Sequence, residues 1–318
     1  MPARFTLIVI TTSLIALASC SDLTQPTGDT IDPPLAGKTA VHLTDAPFPY
    51  DKLSRVDLYI VRIAVSLTAD TGGIGGDTTG SNFTTVAEPN RRFNILELQN
   101  GVTAELGEAA LPPGRYQAVR MVLDTDSSSI TLRDGRVLTG SSSPGIAWLS
   151  SAGRPQLNAL VYDAMTLGES GGTIVIDFDV GQSFFPVQTL DSLSADEGFI
   201  FSPWMRAVSL AQTGSVSGAV VGADTAASPP IAHATVSMLM GHPGEPENTW
   251  SVMATGSTDA AGNFTMAYLS PNRVFAPRTY IFRVEAPPSS PYGKLLMRDV
   301  LVAVGQERVL GTLTVPRK

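Results

Sequence analysis

The chain has 318 residues and a single cysteine, Cys20. No intramolecular disulfide can form, so a folded body must rest on buried apolar cores, which favours domains of about 100 residues or more. Thiolate metal sites are excluded with it. Histidine is nearly as scarce: His42, His233 and His242 are three scattered residues, too few for a zinc site. Charged residues make up 16%, against about 25% in an average soluble protein. The net charge is −8, and the basic runs Arg91–Arg92 and Arg317–Lys318 are only pairs. A nucleic-acid binder needs a basic stripe, so no nucleic-acid partner is expected. No apolar run reaches the roughly 20 residues of a membrane span. Neither a phosphate loop nor a dinucleotide fingerprint is present.

What the chain has instead is glycine (29), proline (23) and many serines and threonines. That mixture suits short strands joined by turns, and a hydrophobic content of 43% is too high for a disordered chain. The amino terminus has its own pattern. After Arg4, residues Phe5 to Ala18 form a short apolar run ending in Leu17-Ala18-Ser19-Cys20. This fits the h-region of a signal peptide, and its end resembles the lipobox of bacterial lipoproteins. The resemblance implies cleavage after residue 19 and a diacylglycerol, with an added acyl chain such as palmitate, on Cys20. Two or three acyl chains hold a protein to a membrane where one does so only marginally. Asp22, one place beyond the position of an inner-membrane retention signal, points to the outer membrane of a diderm cell. Residues 20–36 carry three prolines and no periodicity, and read as an anchored, extended tether.

From Gly37 the pattern has period two. Val41 and Leu43, then Val56, Leu58 and Ile60, then Ile63, Val65 and Leu67 alternate with other residues, as in half-buried strands. Further strands are expected at Arg115–Leu123, at Thr173–Val180 and, unbroken, over Phe199–Leu210. Asp134-Gly135 fits the two-residue type I′ turn of a hairpin. Residues 94–110 offer the best place for a short helix, around Ile95–Leu98 or Ala104–Ala109. Gly72–Gly80 reads as a flexible insert.

Five stretches in this order resemble a bacterial family of unknown function, DUF4382. They are Leu43-Thr-Asp-Ala-Pro47, Val56–Ile63, Phe93–Gly101, Leu111–Leu123, and the hairpin at Arg133–Gly135 with the strand ending Asp177-Phe-Asp-Val180. The resemblance covers residues 37–211 and implies an all-β fold without naming an activity. Residues 212–318 begin afresh at Gly214, with about seven strands in about 100 residues, which suits a β-sandwich. Their Thr258-Asp-Ala-Ala-Gly-Asn-Phe264 turn, followed by the strand carrying Tyr280, resembles a carboxypeptidase-regulatory or transthyretin-like module. The fold class expected is all-β, with two sandwich-like domains in tandem.

Chemistry is sparse. Gly168-Glu-Ser-Gly-Gly172 fits a nucleophile-elbow pattern, and His42 is the histidine that would complete it. A hydrolase elbow, however, leads into a helix, and here a β-branched strand follows. Asp124 with Asp126, and Asp177 with Asp179, offer oxygens to calcium without matching its twelve-residue loop; turn and strand-end aspartates are the plainer account. Trp148, Trp204 and Trp250 could stack on sugars or fill cores. No catalytic residue is assigned, and no cofactor is expected beyond the lipid on Cys20 and possible calcium. The expected partners are the membrane, through the anchor, and a glycan or an envelope protein. The reading is a lipid-anchored cell-envelope protein with a non-catalytic binding or adhesion module. A structural spacer is the alternative, and an envelope hydrolase a weaker one.

Overall fold

The computed structural model describes residues 37–46, 53–68, 82–148, 153–189, 192–193, 198–224, 227–241, 244–271 and 279–318. Cys20 with the signal segment and tether, the insert at 72–80, and His242 lie outside the described residues. The fold is nearly all β, and its buried apolar residues form two main clusters.

The first cluster lies between two sheets. One has the strand order Met205–Ser209, Gly171–Asp179, Lys38–Ala46, Ala104–Ala109. Its two inner strands run parallel and its outer ones antiparallel. The other is built on the long pair Leu53–Ser66 and Ala118–Leu132, flanked by Gln156–Ala159 and Phe83–Ala87. The alternation in Leu53–Ser66 slips phase: Val56, Leu58 and Ile60 are buried, then Ile63 and Val65. A bulge between Ile60 and Arg62 supplies the extra residue and returns the odd-numbered side chains to the core. Leu67 lies past the strand end and is exposed.

The second cluster joins a three-stranded sheet, Asn263–Leu269, Gly214–Gly222, Glu307–Val315, to a four-stranded one, Ser251–Ser257, Thr235–Gly241, Thr279–Glu285, Lys294–Val300. Phe264 and Phe282 stack across it with ring centroids 5.1 Å apart. The turn at Asp259 is held by its own carboxylate, whose Oδ1 accepts from the amides of Ala261 (2.9 Å) and Asn263 (2.8 Å). Gly262 there has φ +81°, a conformation glycine adopts without steric cost. The Tyr280 hydroxyl donates to the Ser270 carbonyl at 2.9 Å.

Several local expectations change. Of the two helix positions, Ile95–Glu97 is one 3₁₀ turn, while Ala104–Ala109 is a strand paired antiparallel with Lys38–Ala46. Its Ala/Glu/Leu composition favours helix, but Gly107 weakens that preference and tertiary pairing overrides it. The only α-helix among the described residues is the four-residue Val180–Ser183. The hairpin at 133–135 is a three-residue loop: Leu132 and Arg136 close it, and only Gly135 has positive φ, so it is not a type I′ turn. The strand expected over Phe199–Leu210 is broken between Phe201 and Met205, at Pro203, which cannot donate a ladder hydrogen bond. His233, expected to alternate within a strand over Ile231–Met240, lies instead in a turn with φ +56° before the strand begins at Thr235.

Candidate binding site between the two sandwiches

The two sandwiches meet over two polar regions of opposite character. The first is a tightly filled seam. Parallel pairing sets Thr44 opposite Asp177 and Asp45 opposite Phe178, so Asp45, Asp177 and Asp179 arrive together at one sheet end, all buried. Arg206, on the neighbouring antiparallel strand and opposite Asp177, reaches it with Nη2 at 2.7 Å and Nε at 2.9 Å from Oδ2. The same guanidinium donates through Nη1 to the Tyr268 carbonyl of the second sandwich at 2.6 Å. The Tyr268 hydroxyl returns a bond to the Gly101 carbonyl (2.9 Å), and Thr255 Oγ1 donates to Asp179 Oδ2 (2.9 Å). Asp179 also caps the short helix, accepting from the Gln182 amide at 2.8 Å. Asp45 Oδ1 accepts from the Val180 amide at 3.1 Å.

Burial dominates the electrostatics of this seam. It holds the Asp45 carboxyl well above the usual carboxylate range against the Val180 hydrogen bond, with Asp179 and Asp177 adding repulsion. Burial likewise raises Asp179, against the hydrogen bond from Gln182. Asp177 Oδ1 has no hydrogen-bond partner among the described residues. It faces a cavity of about 20 Å³, the size of a single water.

The second region is an open cleft of about 260 Å³. Arg115 and Thr166 are cross-strand partners on the two-stranded ribbon Gly114–Tyr116 and Met165–Leu167. Asp163 precedes that ribbon's second strand. Val208 and Ser209 end the strand that carries Arg206, and the second sandwich contributes Ser270, Pro271 and Val304. Ser209 and Ser270 are more than nine-tenths buried, whereas Arg115 and Thr166 are exposed. Gln212 ties the linker between the sandwiches to this wall, its Oε1 accepting from the Thr166 amide at 2.7 Å.

The candidates from sequence scatter. Ser170 lies in the exposed turn Gly168–Gly171, beside Gly37, while buried His42 pairs with Val175. Five strand residues separate the two levels, about 16 Å at the usual rise, and no nucleophile–base pair forms. Asp124 accepts from the Ser127 amide at 3.0 Å and faces Arg154 at 3.3 Å; Asp126 is exposed beside it. Only Asp177 and Asp179 reach the junction, where a guanidinium supplies the positive charge. Among the described residues no group of three or more His, Cys, Asp or Glu is placed to hold a metal ion. Trp148 packs edge-on against Phe201, with centroids 4.8 Å apart, and Trp250 is buried beneath Arg298, so neither forms an open stacking face. Asp45 and Arg115 lie in stretches that resemble the family, Leu43–Pro47 and Leu111–Leu123, but nothing there marks them as site residues; the only sequence signal of Arg206 is a charge within an apolar strand pattern.

A profile described as "Domain of unknown function (DUF4382)" matches residues 36–203, more than half of the chain. The chain belongs to the DUF4382 family. The matched DUF4382 region supplies the first sandwich except its outer strand Met205–Ser209; it includes Asp45, Asp177, Asp179, Arg115 and Asp163 and ends before Arg206. No curated protein matches the chain. Among solved structures, the minor pilin GBS52 of Streptococcus agalactiae aligns at 10% identity over 88% of this chain and 96% of its own, with a TM-score of 0.23. Shaft pilin SpaA of Lactobacillus rhamnosus GG aligns at 11% over 89% and 98%, with a TM-score of 0.21. A 9R-lipoxygenase of Cyanothece PCC8801 aligns at 17% over 43% of this chain, which spans 19% of that enzyme's length, with a TM-score of 0.23. Superpositions at these scores do not define a shared fold or role.

Proposed function

We propose that this DUF4382 protein is a lipid-anchored envelope protein whose paired sandwiches act as a non-catalytic binding module. The observation that carries the reading is the open cleft between the sandwiches, beside a seam that already holds them together. Pockets at domain interfaces with a few convergent polar groups are where small ligands bind. The separation of Ser170 from His42 supports this non-catalytic reading over the serine-hydrolase alternative. Calcium has no part in this reading, since Asp124 and Asp177 already face arginines. The anchor rests on the lipobox-like Leu17–Cys20, and the second sandwich is read as a carboxypeptidase-regulatory-like module from its Asp259 turn and Tyr280.

Two measurements test the parts separately. Metabolic labelling with an alkyne fatty acid is expected to mark the native protein and to fail on Cys20→Ala, which would leave the membrane fraction. Thermal melting of the detergent-solubilised protein against amino acids, envelope glycans and calcium is expected to show a saturable rise with one ligand class, because a ligand that binds only the folded state stabilises it. A flat response to every class would favour a spacer.

A further inference from the structure

The cleft is a composed surface rather than a gap. Arg115, Thr166, Ser209 and Ser270 line it, and none of these four side chains has a polar partner among the described residues. Two of the hydroxyls belong to residues otherwise buried, where a polar group normally finds a partner. A guanidinium without a carboxylate is a ready fork for one, because its paired N–H groups match two carboxylate oxygens. The Asp163 carboxylate lines the same cleft. It keeps room for a further donor, since an ionised carboxylate offers about four lone-pair sites. Val208, Pro271 and Val304 supply a small apolar wall, and among the described residues no aromatic ring lines the space for a sugar face to stack on. At about 260 Å³, the cleft falls just below the roughly 300–1,000 Å³ of drug-sized pockets. It therefore suits one small molecule and not an oligomer.

Among the described residues, one cationic group, one anionic group and a set of hydroxyls line this small space, a match for a ligand carrying both charges. We infer that the cleft binds a small zwitterion of the α-amino-acid type, its carboxylate on Arg115 and its ammonium on Asp163, with the Ser209 and Ser270 hydroxyls completing the polar shell. This inference rests on the binding-module reading and narrows it to one ligand class.

Isothermal titration calorimetry on the detergent-solubilised full-length protein tests it, with glycine, L-alanine and D-alanine as probes. Acetate and methylammonium serve as half-ligands, and glucuronate represents an acidic sugar. At least one amino acid is expected to bind saturably, about tenfold or more tighter than either half-ligand, since each charge-assisted hydrogen bond adds to the whole. Arg115→Ala is expected to weaken binding by about tenfold or more without moving the ligand-free melting temperature, because the residue is exposed. Arg115→Lys is expected to fall between, keeping the charge and losing the fork. No saturable heat from any of the three amino acids would overturn the inference, as would equal binding by Arg115→Ala. Binding of glucuronate alone would also overturn it, while leaving a binding module intact.

Discussion

The seam and the cleft lie between the same two sandwiches and share a strand, yet they treat polar groups in opposite ways. Met205–Ser209 carries Arg206 at the seam and Ser209 in the cleft, three residues apart, or about 10 Å. At the seam nearly every donor and acceptor is matched, and the remaining space holds about one water. In the cleft the polar side chains line a volume more than ten times larger. Matched buried groups fix a geometry, whereas unmatched ones leave binding energy unspent. The seam therefore sets the angle between the sandwiches, and the cleft takes its shape from that angle.

Substitutions can separate the two regions, and the largest effect belongs to the seam. Arg206→Met leaves Asp177 buried without its ion pair and also removes the bond to Tyr268. A loss of about 3–5 kcal/mol is expected, as for other broken buried pairs, read by urea denaturation. The double variant Arg206→Met with Asp177→Leu should recover much of that loss, because an apolar replacement for a buried pair is often neutral. Tyr268→Phe removes only the bond to the Gly101 carbonyl and is expected to cost about 0.5–1.5 kcal/mol. Limited proteolysis should show looser sandwiches in that variant, with both cores intact.

Acidity sharpens the same comparison. Folding raises the Asp45 and Asp179 carboxyls, so the native state holds protons that the unfolded chain has released. Stability contributed by these groups is present below the ordinary carboxylate range and is lost as pH rises through the raised values. Asp45→Asn, which keeps an uncharged side chain there, is expected to flatten that part of the pH–stability profile. The smallest effect is expected at the cleft: Arg115→Ala should change the unfolding free energy by no more than about 0.5 kcal/mol. A large loss at Arg115 would make the cleft a structural joint like the seam.

Much of the architecture was legible before the structure, because a half-buried strand writes its faces into alternate residues. Val56, Leu58 and Ile60 announced their strand, and Thr258–Phe264 announced the turn at Asp259, which carries the chain from one sheet of the second sandwich to the other. Bulges were harder, since the extra residue after Ile60 reads as a change of phase. Ala104–Ala109 misled because an edge strand takes its conformation from the neighbour it pairs with. The site was legible only in part. Asp177 and Asp179 stood out as an alternating acidic pair, but their partners Asp45 and Arg206 lie far away in sequence. Arg115 looked like any surface arginine, since what sets it apart is the cleft wall contributed by Ser270 and Val304, more than 150 residues further on.

Gly37 leads at once into an inner strand of the first sheet, paired over Lys38–Ala46 on one side and over Thr39–Leu43 on the other. A pull on that end runs along the strand axis. It loads both ladders in shear, so many hydrogen bonds resist together, where a pull across an edge strand would open them one at a time. If the proposed anchor holds the chain from that side, tension would pass through the first sheet to the seam, whose bonds would then decide whether the sandwiches move as one body.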